Sequence, residues 1–308
     1  MTFPIRILTG PTASGKTDIA IHIAEKTGAE IVSADSMLVY RGMDIGTEKP
    51  PLALRNRIPH HLIDIVDPWE EYSVGQYIKD FDVVVQRLCR QNKPFIVVGG
   101  TALYLKVMVN GLFQGPSADW KYRDYLKSII LEKGPEYLHK MLASVDAEAA
   151  ARLHSRDHRR IIRALEVFKK TGQSISSFQT QFGHKNPRYH CTIAAVGYDR
   201  DILYRRIEDR VDRMFLHGLV DEVRTLISNP LGISKQAFQA LGYKEVIDYL
   251  YEKYTLPEVK SEIKKRTRRF AKRQMTWLRS FPDIHWIHAS ADNNTSSLAE
   301  KVSELLIR

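Results

Sequence analysis

Short apolar runs alternate along this chain with longer stretches whose apolar residues recur every three or four positions. Residues 5–9, IRILT, are apolar and partly β-branched and are closed by Gly10, which predicts a short buried strand. In TDIAIHIAEKTG, Ile19, Ile23 and Ala24 share one helical face and Gly28 supplies a stop. EIVSADS (30–36), HHLIDIVD (60–67) and PFIVVGG (94–100) read as further strands. SVGQYIKDFDVVVQRLCRQ reads as a helix with Ser73 as its N-cap, and TALYLKVMVNG as the helix after the fourth strand. Strands alternating with helices imply a parallel sheet covered on both faces.

The texture changes near Gly115. Residues 116–187 carry helical segments, DWKYRDYLKSIILEKG, PEYLHKMLASVD and DHRRIIRALEVFKKTG, with no clear strand. HCTIAAVGYD (190–199) then returns to a strand pattern, and the remainder reads as mostly helical, with a short apolar stretch at IHWIH. The expected organisation is an α/β core of residues 1–115 and 188–308, and an all-helical inserted lobe of residues 116–187.

Composition narrows the class. Of 308 residues, 44% are hydrophobic and 27% charged, ordinary for a globular protein, and no apolar run is long enough for a bilayer. The opening runs directly into IRILTG, so no leader is expected. Two cysteines, Cys89 and Cys191, make neither a disulfide framework nor a zinc spacing, which fits a reducing cytoplasm. Forty-six basic against thirty-six acidic residues leave a net charge of +10. Such a surplus suits a polyanionic partner, nucleic acid first, although a basic but inert surface would look the same.

GPTASGKT (10–17) fills the phosphate-loop pattern G-x-x-x-x-G-K-[ST] with Gly10, Gly15, Lys16 and Thr17, and lies between a predicted strand and helix. Such a loop aims backbone N–H groups inward, adds the positive end of a helix, and offers a lysine to the phosphates and a hydroxyl to a magnesium ion. The fold class is therefore a P-loop NTPase-like parallel sheet. A kinase, a nucleotide hydrolase and a transferase with a pyrophosphate leaving group could all use this loop. Asp35 and Ser36 end the second strand, where ligand groups gather in such sheets. There Asp35 can hold magnesium, accept a proton, or simply cap a turn. Thr101 follows Gly99 and Gly100 and can cap a helix, bind phosphate, or do both.

GPTASGKT, VSADSMLVYRGMDIGTEKP, VVGGTALYLKVMVNGL, RRIIRALEVF, LGYKE and RRFAKRQMTWLR together resemble the bacterial tRNA dimethylallyltransferase family, also called tRNA isopentenyltransferases. The resemblance runs from about residue 5 to residue 287, with the motifs in family order. It implies transfer of a dimethylallyl group from dimethylallyl diphosphate to N6 of the adenine 3′-adjacent to the anticodon, in tRNAs reading codons that begin with U. It implies Mg2+ as cofactor, tRNA as macromolecular partner, a cytoplasmic setting and no membrane; a monomer is expected. By resemblance Asp35 is the general base, Thr101 stands at the reacting end, and Arg123 is the arginine opening the inserted lobe. The diphosphate would lie on Gly10, Thr12, Ala13, Ser14, Gly15, Lys16 and Thr17, with Thr17 on the metal and Arg206 reaching the leaving group. Expected tRNA contacts are Asp35, Ser36, Met37, Leu38, Thr101, Arg123, Arg159, Arg160, Ile161, Ile162 and Arg163, with 239–245 a weaker candidate.

Two basic helices have competing readings. Arg206, Arg210 and Arg213 fall on one helical face, facing either a diphosphate or the helix's own Glu208, Asp209 and Asp212. Residues 264–279 carry eight basic residues and no acidic one. There Phe270 and Trp277 are expected to anchor the helix while the charges face a phosphate backbone, or only solvent. His60 and His61 are expected to be structural. Eukaryotic relatives can carry a C-terminal zinc finger, for which two cysteines are too few. The rival activities are an ATP-dependent kinase, a prenyltransferase acting on free adenylate, and a non-catalytic RNA-binding protein.

Overall fold

A computed structural model describes residues 4–111, 115–179, 189–281 and 283–307. The chain divides into two units, Met1–Val109 with Arg188–Arg308, and Asn110–Pro187.

The first unit begins with β1 (Ile5–Thr9), α1 (Lys16–Thr27), β2 (Glu30–Ser33), α2 (Leu52–Arg57), β3 (His60–His61), α3 (Val74–Arg90), β4 (Phe95–Val98) and α4 (Ala102–Asn110). The second unit carries α5 (Trp120–Lys133), α6 (Pro135–Val145), α7 (Ala147–Arg152), α8 (His158–Thr171) and α9 (Ile175–Gln179). The first unit resumes with β5 (Cys191–Tyr198), α10 (Arg200–Leu216), α11 (Leu219–Ile227), α12 (Tyr243–Leu250), α13 (Leu256–Leu278), β6 (Ile284–Ala289) and α14 (Thr295–Ile307).

Six strands form one parallel sheet in the order β3-β2-β4-β1-β5-β6. β1 sits inside it, pairing Ile7 with Val97 of β4 and with Ile193 of β5. Its Ile5, Ile7, Leu8 and Thr9 are all buried, as expected of a strand covered on both faces. One apolar cluster joins Leu8 and Ile31 of the sheet to Ile19 and Ile23 of α1, Leu203 and Ile207 of α10, Ala271 of α13, and Leu298 and Val302 of α14. Each such Leu, Ile or Val side chain contributes about 1.5–3 kcal/mol on burial. Ser73 caps α3 in a reciprocal box with Gln76, and the buried Tyr77 of that helix stacks on Tyr104 of α4 at 3.7 Å.

Two strand expectations need correction. Of residues 60–67 only His60 and His61 pair as a strand, because Leu62 (φ 61°) and Asp64 (φ 54°) turn the backbone out of extension. IHWIH is more than an apolar stretch: it lies in β6, the edge strand beside β5, with Ile287 and Ala289 buried.

In the second unit, Leu126, Ile129, Leu138, Leu142, Ile161, Ile162 and Leu165 form a separate core. Among its described residues the only regular structure is helical. Asp146 caps α7 by accepting from the Ala149 N–H at 2.9 Å and also accepts from the Ser176 N–H at 3.0 Å.

Candidate active site

The phosphate loop joins β1 to α1 at the carboxyl edge of the sheet. Gly15 (φ 77°) precedes the first turn of α1, a backbone that side-chain-bearing residues adopt poorly. Ala13 is also left-handed (φ 63°). This curl is held from outside by α10. Arg206 donates from Nε to the Ala13 carbonyl at 2.8 Å, with its guanidinium over the Tyr198 ring. Arg210 donates to the Thr12 hydroxyl at 2.7 Å and pairs with Glu48 at 3.2 Å. Arg213 reaches the same Glu48. The arginine face of α10 therefore lies against the loop, not along its own acids: Glu208 pairs with Arg268, and Asp212 with Lys264 at 2.7 Å.

Lys16 is half-buried and donates to the Pro11 carbonyl at 3.4 Å. Burial pulls its ammonium down to about 8; Arg210 adds to that, while Asp35 and Glu48 oppose it. Asp35 is thus within electrostatic reach of Lys16. Ser14 Oγ is buried without a hydrogen-bond partner among the described residues, an orphan that an anion's oxygen could satisfy.

β2 and β4 lie side by side, and the loops after them interlock. Thr101 N–H donates to the Ala34 carbonyl at 3.3 Å, and Thr101 Oγ1 accepts from Ser36 N–H at 3.0 Å. Asp35 Oδ1 accepts from Met37 N–H at 2.8 Å, which folds Asp35–Leu38 into a half-buried turn. Gly99 has no alternative residue: a Cβ there would lie 2.2 Å from the Ala34 carbonyl oxygen. Behind this corner, burial pushes the Tyr104 and Tyr77 phenols up, and the Asp35 charge adds to both shifts. They remain neutral walls.

The chain after Asp35 is fixed by buried charge. Lys49 Nζ donates to the Tyr40 carbonyl at 2.7 Å and pairs with Asp44 and Asp64. Glu222 of α11 accepts from the N–H groups of Asp44, Ile45 and Gly46 and from the Tyr243 hydroxyl. In the 239–245 segment, Tyr243 and Glu245 are buried, and Glu245 accepts from Gly242 N–H and pairs with Arg266. These two side chains serve the interior. His61 bonds Glu30 at 2.6 Å across β2 and β3, a structural contact.

In the second unit, Arg123 forks onto the fully buried Glu166 at 2.7 and 2.8 Å. Glu166 also accepts from Asp119 N–H and from Arg163. Burial alone would raise that carboxyl, but bonds from Arg123, the Asp119 amide and Arg163 outweigh it and hold it at about 2. Arg159 and Arg160 are exposed at the start of α8, Arg160 beside Asp157 at 3.3 Å. Ile161 and Ile162 need correction as contact side chains: both are buried in the unit's core, on the apolar face of α8.

The expected anchors of α13 also change. The buried stripe is Val259, Ile263, Thr267, Ala271, Gln274 and Leu278, while Phe270 and Trp277 are only half-buried. Lys264, Arg266 and Arg268 are engaged with Asp212, Glu245 and Glu208, which leaves Arg269, Lys272 and Arg279 among the exposed cations. Gln274 went unnoticed in the sequence. Its signal was a polar residue in register with an apolar stripe.

No cluster of three or more His, Cys, Asp or Glu side chains able to hold a metal gathers among the described residues. Magnesium does not require one: it keeps several waters, takes phosphate oxygens from its ligand, and in phosphate loops binds the Ser or Thr hydroxyl that follows the lysine. A hydroxyl at Thr17, on the first turn of α1, fits that donor set. No helix among the described residues is long and apolar enough to cross a membrane.

A family model described as IPP transferase matches residues 38–281, and one described as isopentenyl transferase matches residues 3–60. A tRNA dimethylallyltransferase of Geobacter sulfurreducens is 44% identical over 296 residues, 96% of this chain and 95% of the relative. Among solved structures, the full-length tRNA isopentenylpyrophosphate transferase of Bacillus halodurans aligns over 99% of this chain and 97% of its own, at 35% identity and a TM-score of 0.70. A eukaryotic dimethylallyltransferase acting on tRNA aligns over 99% of this chain and 79% of its own, at 29% identity and a TM-score of 0.83.

Proposed function

Because the chain belongs to the IPP transferase family, with relatives named tRNA dimethylallyltransferases along nearly its whole length, we propose that it prenylates tRNA. The donor is dimethylallyl diphosphate, and the acceptor is N6 of the adenine 3′-adjacent to the anticodon in tRNAs reading codons that begin with U. In the reaction the allylic C1–O bond breaks, a C1–N6 bond forms, the N6 proton passes to a base, and pyrophosphate leaves.

One observation carries this reading: a phosphate loop and the Asp35–Thr101 corner meet at the ends of neighbouring strands, with Asp35 and Lys16 within electrostatic reach of each other. Charge accumulates on the leaving diphosphate. Amides of the loop and of the first turn of α1, together with Lys16, would meet that charge, with Arg206 and Arg210 beside them. Mg2+ held by Thr17 and the phosphate oxygens would neutralise further charge on the leaving group. The adenine amine becomes acidic only as its new bond forms, so the proton can pass to the Asp35 carboxylate at that stage. A base within a stacked loop must be everted to reach this corner. The exposed cations of α13 and of the α8 start suit the flanking phosphates.

The test incubates the protein with radiolabelled dimethylallyl diphosphate and unmodified tRNA, AMP or ATP. Label should enter tRNA alone; label in AMP would favour the free-adenylate prenyltransferase. Asp35→Ala should collapse turnover while tRNA affinity persists, and normal turnover would remove Asp35 from the base role.

A further inference from the structure

Gln274 lies on the buried stripe of α13 and is 7% exposed. The positions in register with it are Ile263, Thr267, Ala271 and Leu278, so an aliphatic side chain would serve helix packing as well. A buried amide is costly unless both of its ends are bonded. Here both are. Oε1 accepts the Thr12 N–H at 2.8 Å, and Nε2 donates to the Gly100 carbonyl at 2.8 Å. The approach is close: a Cβ on Gly100 would lie 2.7 Å from Nε2 and 2.9 Å from the Gly10 carbonyl oxygen.

Thr12 belongs to the phosphate loop, and Gly100 immediately precedes Thr101. Arg206 and Arg210 hold the loop to α10, whereas Gln274 ties it to the second catalytic corner. Joining an N–H to a C=O in this way calls for a donor and an acceptor at the end of one side chain, which an amide supplies on a single carbon and an ionised carboxylate does not.

We propose that Gln274 is a positioning residue that sets the separation between the phosphate loop and the Thr101 corner. It touches no reacting atom; it acts through the Thr12 amide and the Gly100 carbonyl. The proposal rests on reading residues 10–17 as the diphosphate cradle. Misalignment of reacting groups by a fraction of an ångström to an ångström is enough to slow a transfer by about tenfold to a hundredfold.

Gln274→Glu gives the discriminating experiment. A glutamate keeps the shape and can accept from Thr12 N–H, but when ionised it sets an oxygen against the Gly100 carbonyl. When protonated, its O–H can donate there again. Turnover of wild type, Gln274→Glu and Gln274→Leu is measured from pH 6 to pH 8.5, each variant expressed relative to wild type at the same pH. Amide exchange of the peptide spanning residues 8–15 is followed in parallel.

The Glu variant should lose about tenfold or more in kcat at pH 8 and regain most of it toward pH 6, with tRNA affinity unchanged. The Leu variant should stay impaired throughout. Exchange at residues 8–15 should quicken in the Glu variant at pH 8 and slow toward wild type at pH 6. Wild-type kcat in both variants, or equal loss with one pH course, overturns the proposal. The exchange measurement needs no turnover. An inactive wild type would therefore sink the proposed reaction without deciding Gln274, which unchanged exchange in the Glu variant would overturn by itself.

Discussion

Raising the pH from 7 to 9 should weaken binding of dimethylallyl diphosphate to the free protein, because Lys16 loses its proton across that interval. Burial is the main cause, with Arg210 adding to it, and together they set the ammonium at about 8 despite Asp35 and Glu48. The lysine is cationic below that value and neutral above it. Its protonated fraction falls from about 0.9 at pH 7 to about 0.1 at pH 9, which is about a tenfold loss of affinity, or ~1.4 kcal/mol. A terminal phosphate has its titration midpoint at about pH 6 and is about nine-tenths ionised by pH 7, so this window reads chiefly the lysine. A bound diphosphate draws the ammonium back up, and binding at pH 8 should therefore take up about half a proton. Calorimetric titrations in buffers of different ionisation enthalpy, at fixed salt and magnesium, read both quantities. Lys16→Arg keeps its charge and should bind with little pH dependence across the window. Equal affinity of the wild type at pH 7 and 9, or the same slope in the arginine variant, would refute the assignment.

The Glu166 clamp and the α13 surface make separate predictions. Glu166 sits at about 2 in the folded protein, against an ordinary value of 4.5. Its contribution to the helical unit is thus complete above about pH 4.5 and disappears as the pH falls toward 2. Glu166→Gln should cost that unit about 3 kcal/mol and flatten its acid limb, read by amide exchange over residues 116–172 in the full chain; an unaltered acid limb would count against the clamp. Replacing Arg269, Lys272 and Arg279 with Gln should lower the slope of log affinity for tRNA against log salt by about 0.7 for each phosphate no longer neutralised. Lys264→Gln and Arg268→Gln, which break pairs with Asp212 and Glu208, should leave that slope nearly unchanged; an unchanged slope after replacing Arg269, Lys272 and Arg279 would mean that the exposed cations do not face the tRNA.

Much of the sheet and the chemistry of the phosphate loop were legible locally. β4 is a continuous apolar run, β1 and β5 are predominantly apolar, and the turn from β1 to α1 is written in Gly10, Gly15, Lys16 and Thr17. Strand limits were less legible. His60–Asp67 has strand composition, yet Asp64 is drawn into the charge cage around Lys49, and its left-handed backbone, with that of Leu62, ends β3 after two residues. Composition does not reveal such a distant competitor. Ile161 and Ile162 fall inside RRIIR, which by resemblance was expected to contact tRNA, whereas helical periodicity turns these two side chains inward.

The sequence alone determined the alternation of strand and helix, the phosphate-binding loop, and the candidate carboxylate at the end of β2, because each depends on residues close together in the chain. Tertiary structure decided which distant groups hold that machinery in place. Arg206 and Arg210 come to the loop from 193 and 198 residues away, and Gln274 joins Thr12 to Gly100 across gaps of 262 and 174. Such partners depend on which helix faces which strand edge, and that follows from burying the whole apolar surface at once, which no local stretch encodes.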